Sequence, residues 1–358
     1  MLFRSFNTNA CQNCHIKDGR GHPPAPGDSN AVSMLVRLSI PNDPAYATLI
    51  EQSGVLPEPA YGGQLQDMAI PGVAPEGKVR VDYDLLPVTF KDGTRIELRQ
   101  PKLQITQLGY GPMHPGTLFS ARVAPPMIGL GLLEAIPEAA ILANADAQHK
   151  QNNGIAGRAN RVWDDAQQKI VLGRFGWKAG QPTLNQQNAH AFSGDMGLTT
   201  RLKTVDDCTA TQVDCLNAPT GKGPEGEPEV SDNILRLVLF YSRNLGVPAR
   251  RDVDNQQVLA GKTLFYQTGC QQCHTPQFTT GADAAEPEQA NQVIRPYSDL
   301  LLHDMGEGLA DHRSEFQATG RDWRTPPLWG IGLTDAVSGH TQFLHDGRAR
   351  KDRKSTRL

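Results

Sequence analysis

Apolar and polar residues follow a helical period in several separate segments of the chain, and these segments predict most of its regular structure. The predicted helices cover residues 45–52, 129–151, 183–192, 230–246 and 254–269. Pro137 interrupts the second of them, so that Glu138 begins a separate helix. Long loops rich in glycine and proline, with 35 and 26 residues in the chain, join these segments. The pattern therefore predicts a mainly α fold.

A different period appears in residues 77–110, where apolar and polar positions alternate on both sides of the turn sequence Lys91-Asp92-Gly93. The alternating positions are Val79, Val81, Tyr83, Val88, Phe90, Ile96 and Leu98. Alternation with a period of two around an Asp-Gly pair is typical of a β-hairpin. We interpret this segment as a β-rich insertion in an otherwise helical domain.

Two copies of the pentapeptide Cys-x-x-Cys-His are the most specific chemical feature of the chain. They consist of Cys11, Cys14 and His15, and of Cys270, Cys273 and His274. This spacing is the attachment signature of haem c, in which both thiols bind the haem vinyl groups and the histidine is the proximal iron ligand. Zinc is the alternative because Cys-x-x-Cys also binds Zn²⁺, but it does not explain the histidine in both copies. The sequence predicts two covalent haems.

The remaining two of the six cysteines, Cys208 and Cys215, lie close together in a polar stretch. Such a pair is typical of a disulfide in an oxidising compartment, and the alternative is a pair of free, reactive thiols. Because haem c is attached on the outer side of the bacterial inner membrane, both features favour a periplasmic protein. Residues 1–9 are too short and polar for a signal peptide, so we expect the chain to begin inside the natural protein.

The charge and hydropathy of the chain exclude two classes of partner. The formal net charge is −3, without the basic surface excess that nucleic-acid binding requires. The longest apolar run, in residues 123–141, is interrupted by prolines and a glutamate, so no membrane span is expected.

The length of 358 residues, with one pentapeptide near each end, predicts two domains. We expect two cytochrome c-like haem domains, at residues 1–248 and 249–350, with the β-rich insertion in the first and a truncated second domain. Residues 351–358 are a charged run without pattern, and we expect them to be a non-native tail.

Longer phrases resemble bacterial di-haem cytochrome c peroxidases and MauG-like enzymes, and above all the related di-haem oxidoreductases, also described as predicted thiol oxidoreductases. The phrases are FGWKAGQPTLNQQ at 175–187, GDMG at 194–197, RVAPPMIGLG at 122–131, LHDMG at 302–306, WRTPPLWG at 323–330 and FLHDG at 343–347. The resemblance covers nearly all of residues 1–350, and these phrases, rather than the pentapeptides, specify the family.

The resemblance implies three catalytic residues. Gln187 and Asp195 match the glutamine and carboxylate over the N-terminal haem, where a carboxylate acts as general acid on a bound peroxide. Asp195 departs from the glutamate of the peroxidases, and its shorter side chain puts hydrogen peroxide as substrate in doubt. Trp177 matches the tryptophan between the two haems, where an indole can relay electrons. Alternatively, Asp195 is a turn residue, Gln187 an exposed helix residue and Trp177 a core aromatic residue.

Histidine and methionine are the usual distal ligands of such haems, and His303 and Met305 are the candidates in the second domain. In the relatives the distal ligand follows the FLHDG phrase, a region that is replaced or missing here. The resemblance also implies a calcium ion between the domains, although the sequence has no recognisable calcium loop.

Three functions are consistent with these residues. The first is a peroxidase-like enzyme, whose N-terminal haem reacts with peroxide or another small oxidant and receives electrons from the C-terminal haem and a small redox protein. The second is a di-haem electron-transfer cytochrome without peroxidase activity. The third is an oxidase of thiol or protein side chains, which rests only on family analogy. The amide and carboxylate near the first haem favour the enzyme.

Overall fold

A computed structural model describes residues 4–25, 27 and 32–350. The helices in this part of the chain are α1 Cys11–Cys14, α2 Ala47–Ser53, α3 Leu130–Glu134, α4 Glu138–Gln151, α5 Leu184–His190, α6 Val213–Asn217, α7 Asp232–Asn244, α8 Gln256–Gln267 and α9 Thr334–Ser338. The strands are β1 Ser5–Phe6, β2 Met34–Ser39, β3 Met68–Ala69, β4 Lys78–Thr89, β5 Arg95–Thr106, β6 Leu118–Val123, β7 Arg161–Asp164, β8 Lys169–Leu172, β9 Phe278–Thr279, β10 Val293–Ile294, β11 Leu302–Asp304, β12 Asp322–Arg324, β13 Gln342–Phe343 and β14 Ala349–Arg350.

The prediction of a mainly α fold is wrong. Among the described residues, helices of all types account for 28% and strands, with isolated bridges, for 21%. The strands form separate two-stranded antiparallel ribbons, and several of them, such as β9 with β10, pair only two residues. Strands this short contain too few residues for an alternating pattern to be recognised, which is why the sequence predicted loops there.

The individual helices and the hairpin were predicted well. The segments expected at residues 45–52, 183–192 and 230–246 form α2, α5 and α7, with differences of a few residues at their ends. The strands β4 and β5 pair along their whole length, with Val81 opposite Leu103, and confirm the hairpin. At the start of α5 the Thr183 hydroxyl accepts a hydrogen bond from a backbone N–H, as expected of an N-cap.

Two larger apolar cores hold these elements together. One contains residues of β2, β4 and β6, together with Tyr61 and Leu65. The other joins α3, α4 and α5 to buried residues between Phe278 and Leu301, so it includes residues on both sides of position 248. The division into domains at that position stays a prediction.

The ribbon of β2 and β6 has one apolar and one polar face. Because side chains alternate along a strand, Val36 and Leu38 of β2 and Ala121 of β6 pack into the first core. Arg37 pairs with Ser120 in the register, so both side chains lie on the opposite face, with Arg122. This polar face forms part of the wall of the cavity described below.

Cys208 and Cys215 form a disulfide, which confirms that prediction. No helix in the described part of the chain is long and apolar enough to cross a membrane. The predicted non-native tail, residues 351–358, lies outside the described residues.

Candidate functional site

A cavity of about 1120 Å³ lies between the cores, and both pentapeptides line it. This volume exceeds the roughly 300–1,000 Å³ that is usual for a small-molecule pocket. The cavity is also lined by Trp177, Gln187 and Asp195, so the structure brings the predicted catalytic residues to one place. Cys11 and Cys270 are 259 residues apart in the sequence and line the same cavity.

The first pentapeptide forms a single helical turn, α1, with the backbone N–H of His15 bonded to the carbonyl of Cys11 at 2.8 Å. The thiols of Cys11 and Cys14 are free. The Nδ1 atom of His15 lies 2.8 Å from the carbonyl oxygen of Pro125. An Nδ1–H donor to a carbonyl leaves Nε2 with its lone pair, and burial lowers the pKa of His15, which favours this neutral form.

The second pentapeptide repeats this arrangement. The helix α8 ends before Gly269, whose φ of +84° turns the chain into the Cys270–Gln272 helical turn. The Nδ1 atom of His274 lies 2.7 Å from the carbonyl oxygen of Tyr297, and burial lowers its pKa also. The thiols of Cys270 and Cys273 are free. Each histidine therefore presents Nε2 as a ligand atom, held by a backbone carbonyl from elsewhere in the fold.

These features fit a haem at each pentapeptide. The cavity is large and mainly apolar in its walls, and each pentapeptide supplies two free thiols and one oriented imidazole. Among the described residues, no group of three or more histidine, cysteine, aspartate or glutamate side chains is placed to bind a metal ion. Calcium binding stays a prediction.

Trp177 lies in the wall of the cavity and is nearly buried, with 8% of its surface exposed. Its Nε1–H donates to the carbonyl oxygen of Val123 at 2.9 Å, two residues before Pro125. Its own carbonyl accepts from the backbone N–H of Arg324. The indole is thus bonded to the segment that holds His15, and the Trp177 backbone to the strand β12.

Gln187 and Asp195 lie on α5 and on the π-helical turn Ala191–Asp195 that continues it. The side chain of Gln187 lines the cavity and forms no hydrogen bond with the described residues. Asp195 Oδ1 accepts a hydrogen bond from Gln64 at 3.0 Å. Burial raises the pKa of Asp195, while Arg37 and the Gln64 hydrogen bond oppose this shift. The carboxyl group therefore retains a proton to higher pH than an exposed aspartate.

His303 and Met305, the candidate distal ligands, differ in their surroundings. Both ring nitrogens of His303 have partners, with Nε2 2.8 Å from Asp299 and Nδ1 3.6 Å from the sulfur of Cys273. Burial alone lowers the pKa of His303, but these two contacts raise it to about 9. Met305 lines the cavity with 49% of its surface exposed. Both residues stay predictions as iron ligands. The contact with Cys273 places His303 beside a thiol of the second pentapeptide.

Sequence reasoning missed a buried polar cluster in the cavity wall. His345 stacks on Trp323 at 3.7 Å between ring centroids, and burial lowers the pKa of His345 to about 4. On the other side, Lys178 Nζ lies 4.5 Å from the centre of the Trp323 ring. Lys178 has no exposed surface and donates to Asp311 at 2.8 Å. The lysine directly follows Trp177, but no local pattern indicated that it was buried.

Two similar Cys-x-x-Cys-His turns on a single cavity fit a protein that holds two redox cofactors. A family model described as "Di-haem oxidoreductase, putative peroxidase" matches residues 2–355. The chain belongs to this family of di-haem oxidoreductases. No curated protein and no solved structure matches the chain at a significant level.

Proposed function

We propose that the protein is a periplasmic, peroxidase-like enzyme with two haems of c type. The haem of the first pentapeptide is the catalytic one, and that of the second supplies it with electrons from a small redox protein. The observation that carries this proposal is the single cavity that both pentapeptides share with Trp177, Gln187 and Asp195.

In this proposal the thiols of each pentapeptide bind the vinyl groups of one haem, and His15 and His274 bind the two irons through Nε2. The hydrogen bonds from Nδ1 to Pro125 and Tyr297 support these roles because they fix the tautomer and the plane of each ring. Haem iron, when bound, supplies one-electron redox chemistry and cleavage of O–O bonds.

Asp195 has the properties of a proton donor in this cavity. A general acid works best when its pKa lies near the working pH, and burial raises the pKa of Asp195 toward that range. Gln64 holds the carboxyl group through Oδ1. Gln187, whose amide has no partner among the described residues, can orient a small oxidant through a hydrogen bond. The aspartate is shorter than the glutamate of the peroxidases, so another small oxidant remains an alternative to hydrogen peroxide.

Trp177 has the position of an electron relay. Its burial, the Nε1–H bond to Val123 and the backbone bond from Arg324 fix Trp177 in the wall of the cavity that both pentapeptides line. A rigid aromatic ring there shortens each electron-transfer step between the cofactors.

The periplasmic location rests on two observations. Haem c attachment takes place outside the bacterial inner membrane, and the Cys208–Cys215 disulfide is the bond expected in an oxidising compartment.

The first test is the reaction of the haem-loaded protein with hydrogen peroxide, followed by stopped-flow absorbance and EPR before and after one-electron reduction. A pyridine haemochrome assay first establishes two covalent haems. Asp195→Asn and Gln187→Ala should slow the peroxide reaction by about 100-fold or more, the usual lower range for loss of a general acid. Trp177→Phe should leave the rate of the peroxide reaction unchanged and slow the re-oxidation of the second haem.

Gln257→Ala, an exposed substitution on α8, is the matched control and should react as the wild type does. Two haems that are low-spin and indifferent to peroxide in both redox states would contradict the enzyme and leave an electron-transfer cytochrome. Absence of covalent haem would overturn both functions.

A further inference from the structure

The polar face of the β2–β6 ribbon and the loop after Leu309 form a group of three arginines in the cavity wall, Arg37, Arg122 and Arg313. We refer to them as the arginine cluster. Arg122 and Arg313 are 8% and 3% exposed, and Arg37 is half-buried. We propose that the arginine cluster is a binding site for two carboxylates, the propionates of the haem attached at the first pentapeptide.

The arginine cluster has fewer ion-paired carboxylates than cations. Lys178 adds a fourth cation, and the acids that form ion pairs with this group are Asp311 and Glu315. Asp195 and Asp207 act electrostatically on Arg37 without forming an ion pair with it, and burial raises the pKa of both acids. The four cations therefore share two ion-paired carboxylates in a region that is largely buried. Buried charges need partners, because the loss of hydration is otherwise uncompensated. Haem carries two propionates, which supply two negative charges.

Two buried donor atoms of the cluster have no hydrogen-bond partner. Arg122 uses Nη1 for Glu315 at 2.7 Å and Nε for Ser120 at 2.9 Å, but its Nη2 is unpaired and 3.9 Å from Asp311. Arg313 uses Nη1 for Glu315 at 3.0 Å, and its Nε is unpaired. The side chain of Arg37 forms no hydrogen bond or ion pair with the described residues. Guanidinium groups with open donors are suited to carboxylates.

The position of Arg122 in the chain indicates that the arginine cluster binds the propionates of the first haem and not those of the second. The strand β6 carries Arg122 and leads within three residues to Pro125, whose carbonyl holds His15. Arg37 also acts electrostatically on Asp195, and Asp195 on Cys11, Cys14 and His15. The arginine cluster therefore belongs to the same part of the cavity as the first pentapeptide. This inference rests on the proposed function, since it requires that haem is attached there.

The test is a spectroelectrochemical titration of the haem-loaded wild type and of Arg37→Gln. This substitution removes a cation whose side chain forms no hydrogen bond or ion pair with the described residues. Oxidised iron carries one more positive charge than reduced iron, so loss of a nearby cation favours the oxidised form. We expect the first haem to become harder to reduce by on the order of tenfold, or about 59 mV for one electron. A variant without Cys270 and Cys273 assigns the first haem's signal.

Arg122→Lys keeps the charge but loses the planar fork, so it should shift the potential less than Arg37→Gln does. Arg201→Gln, at an exposed ion pair outside the cavity, is the control and should leave both potentials unchanged. An unchanged first-haem potential in Arg37→Gln, or a shift confined to the second haem, would overturn the assignment while two covalent haems would still stand.

Sodium formate distinguishes the source of the carboxylate. If propionates fill the site, formate should not change the spectrum of the wild type in a saturable way. A saturable change in the wild type that Arg37→Gln abolishes would assign the arginine cluster to a soluble carboxylate instead, and would overturn the proposal.

Discussion

The buried lysine beside Trp323 offers a direct test of how the cavity wall is held together. Lys178 has no exposed surface, and its Nζ donates to Asp311 at 2.8 Å and to the carbonyls of Arg313 and Thr319 at 2.9 and 2.8 Å. The substitution Lys178→Met keeps most of the side-chain volume and removes all three donors. We expect it to destabilise the protein substantially.

The contacts determine the size of this effect. Removing one partner of a buried ion pair costs roughly 3–5 kcal/mol when the other charge is left unpaired. Here Asp311 still accepts from Ser120 at 2.5 Å and from a backbone N–H at 3.0 Å, so the cost falls at the lower end. Burial lowers the pKa of Lys178 to about 8, and relief of this desolvation offsets part of the loss. We expect a net loss of about 3 kcal/mol in the free energy of unfolding.

Urea denaturation of the haem-loaded protein measures this loss. The control is Lys102→Met on the hairpin, where an exposed lysine pairs with Asp84 at 2.6 Å. An exposed pair contributes at most about 1 kcal/mol, so the control should be nearly as stable as the wild type. If Lys178→Met loses no more stability than Lys102→Met, the reasoning about the buried cluster is wrong.

Two further predictions concern pH and redox conditions. Because burial holds the pKa of His345 at about 4, below its ordinary value of 6.5, the unfolded chain binds the proton more readily. Stability should therefore fall as the pH is lowered from 6.5 to 4, by at most about 3 kcal/mol, and His345→Asn should flatten this part of the stability curve. If the stability of the wild type and of His345→Asn falls with the same slope between pH 6.5 and 4, the assignment of this pH dependence to His345 is wrong. The second prediction concerns the Cys208–Cys215 disulfide, which closes a loop with a sequence separation of 7. The double substitution Cys208→Ser and Cys215→Ser should lower the free energy of unfolding, measured by urea denaturation, by roughly 2–3 kcal/mol. Equal midpoints for the double variant and the wild type would refute this estimate.

Local signals in the sequence were sufficient for the main helices and the hairpin, and they supplied the prediction of two haem attachment sites. The helix α5 follows from its N-cap Thr183 and its apolar period, and the hairpin from alternation around Asp92-Gly93. The pentapeptides carry their chemistry in five consecutive residues, so the cofactor could be inferred without a fold. Each of these features depends on neighbours within one or two turns of chain.

The tertiary structure alone decided what surrounds the two pentapeptides. The carbonyls of Pro125 and Tyr297 that orient His15 and His274 lie 110 and 23 residues away. Arg122 meets Glu315 across 193 residues. Such contacts depend on strand register and on how loops pack, and neither leaves a periodic mark in the sequence. For the same reason the sequence analysis missed the short ribbons and overestimated the helical content. The two pentapeptides, in contrast, could be recognised from the sequence because each consists of consecutive residues.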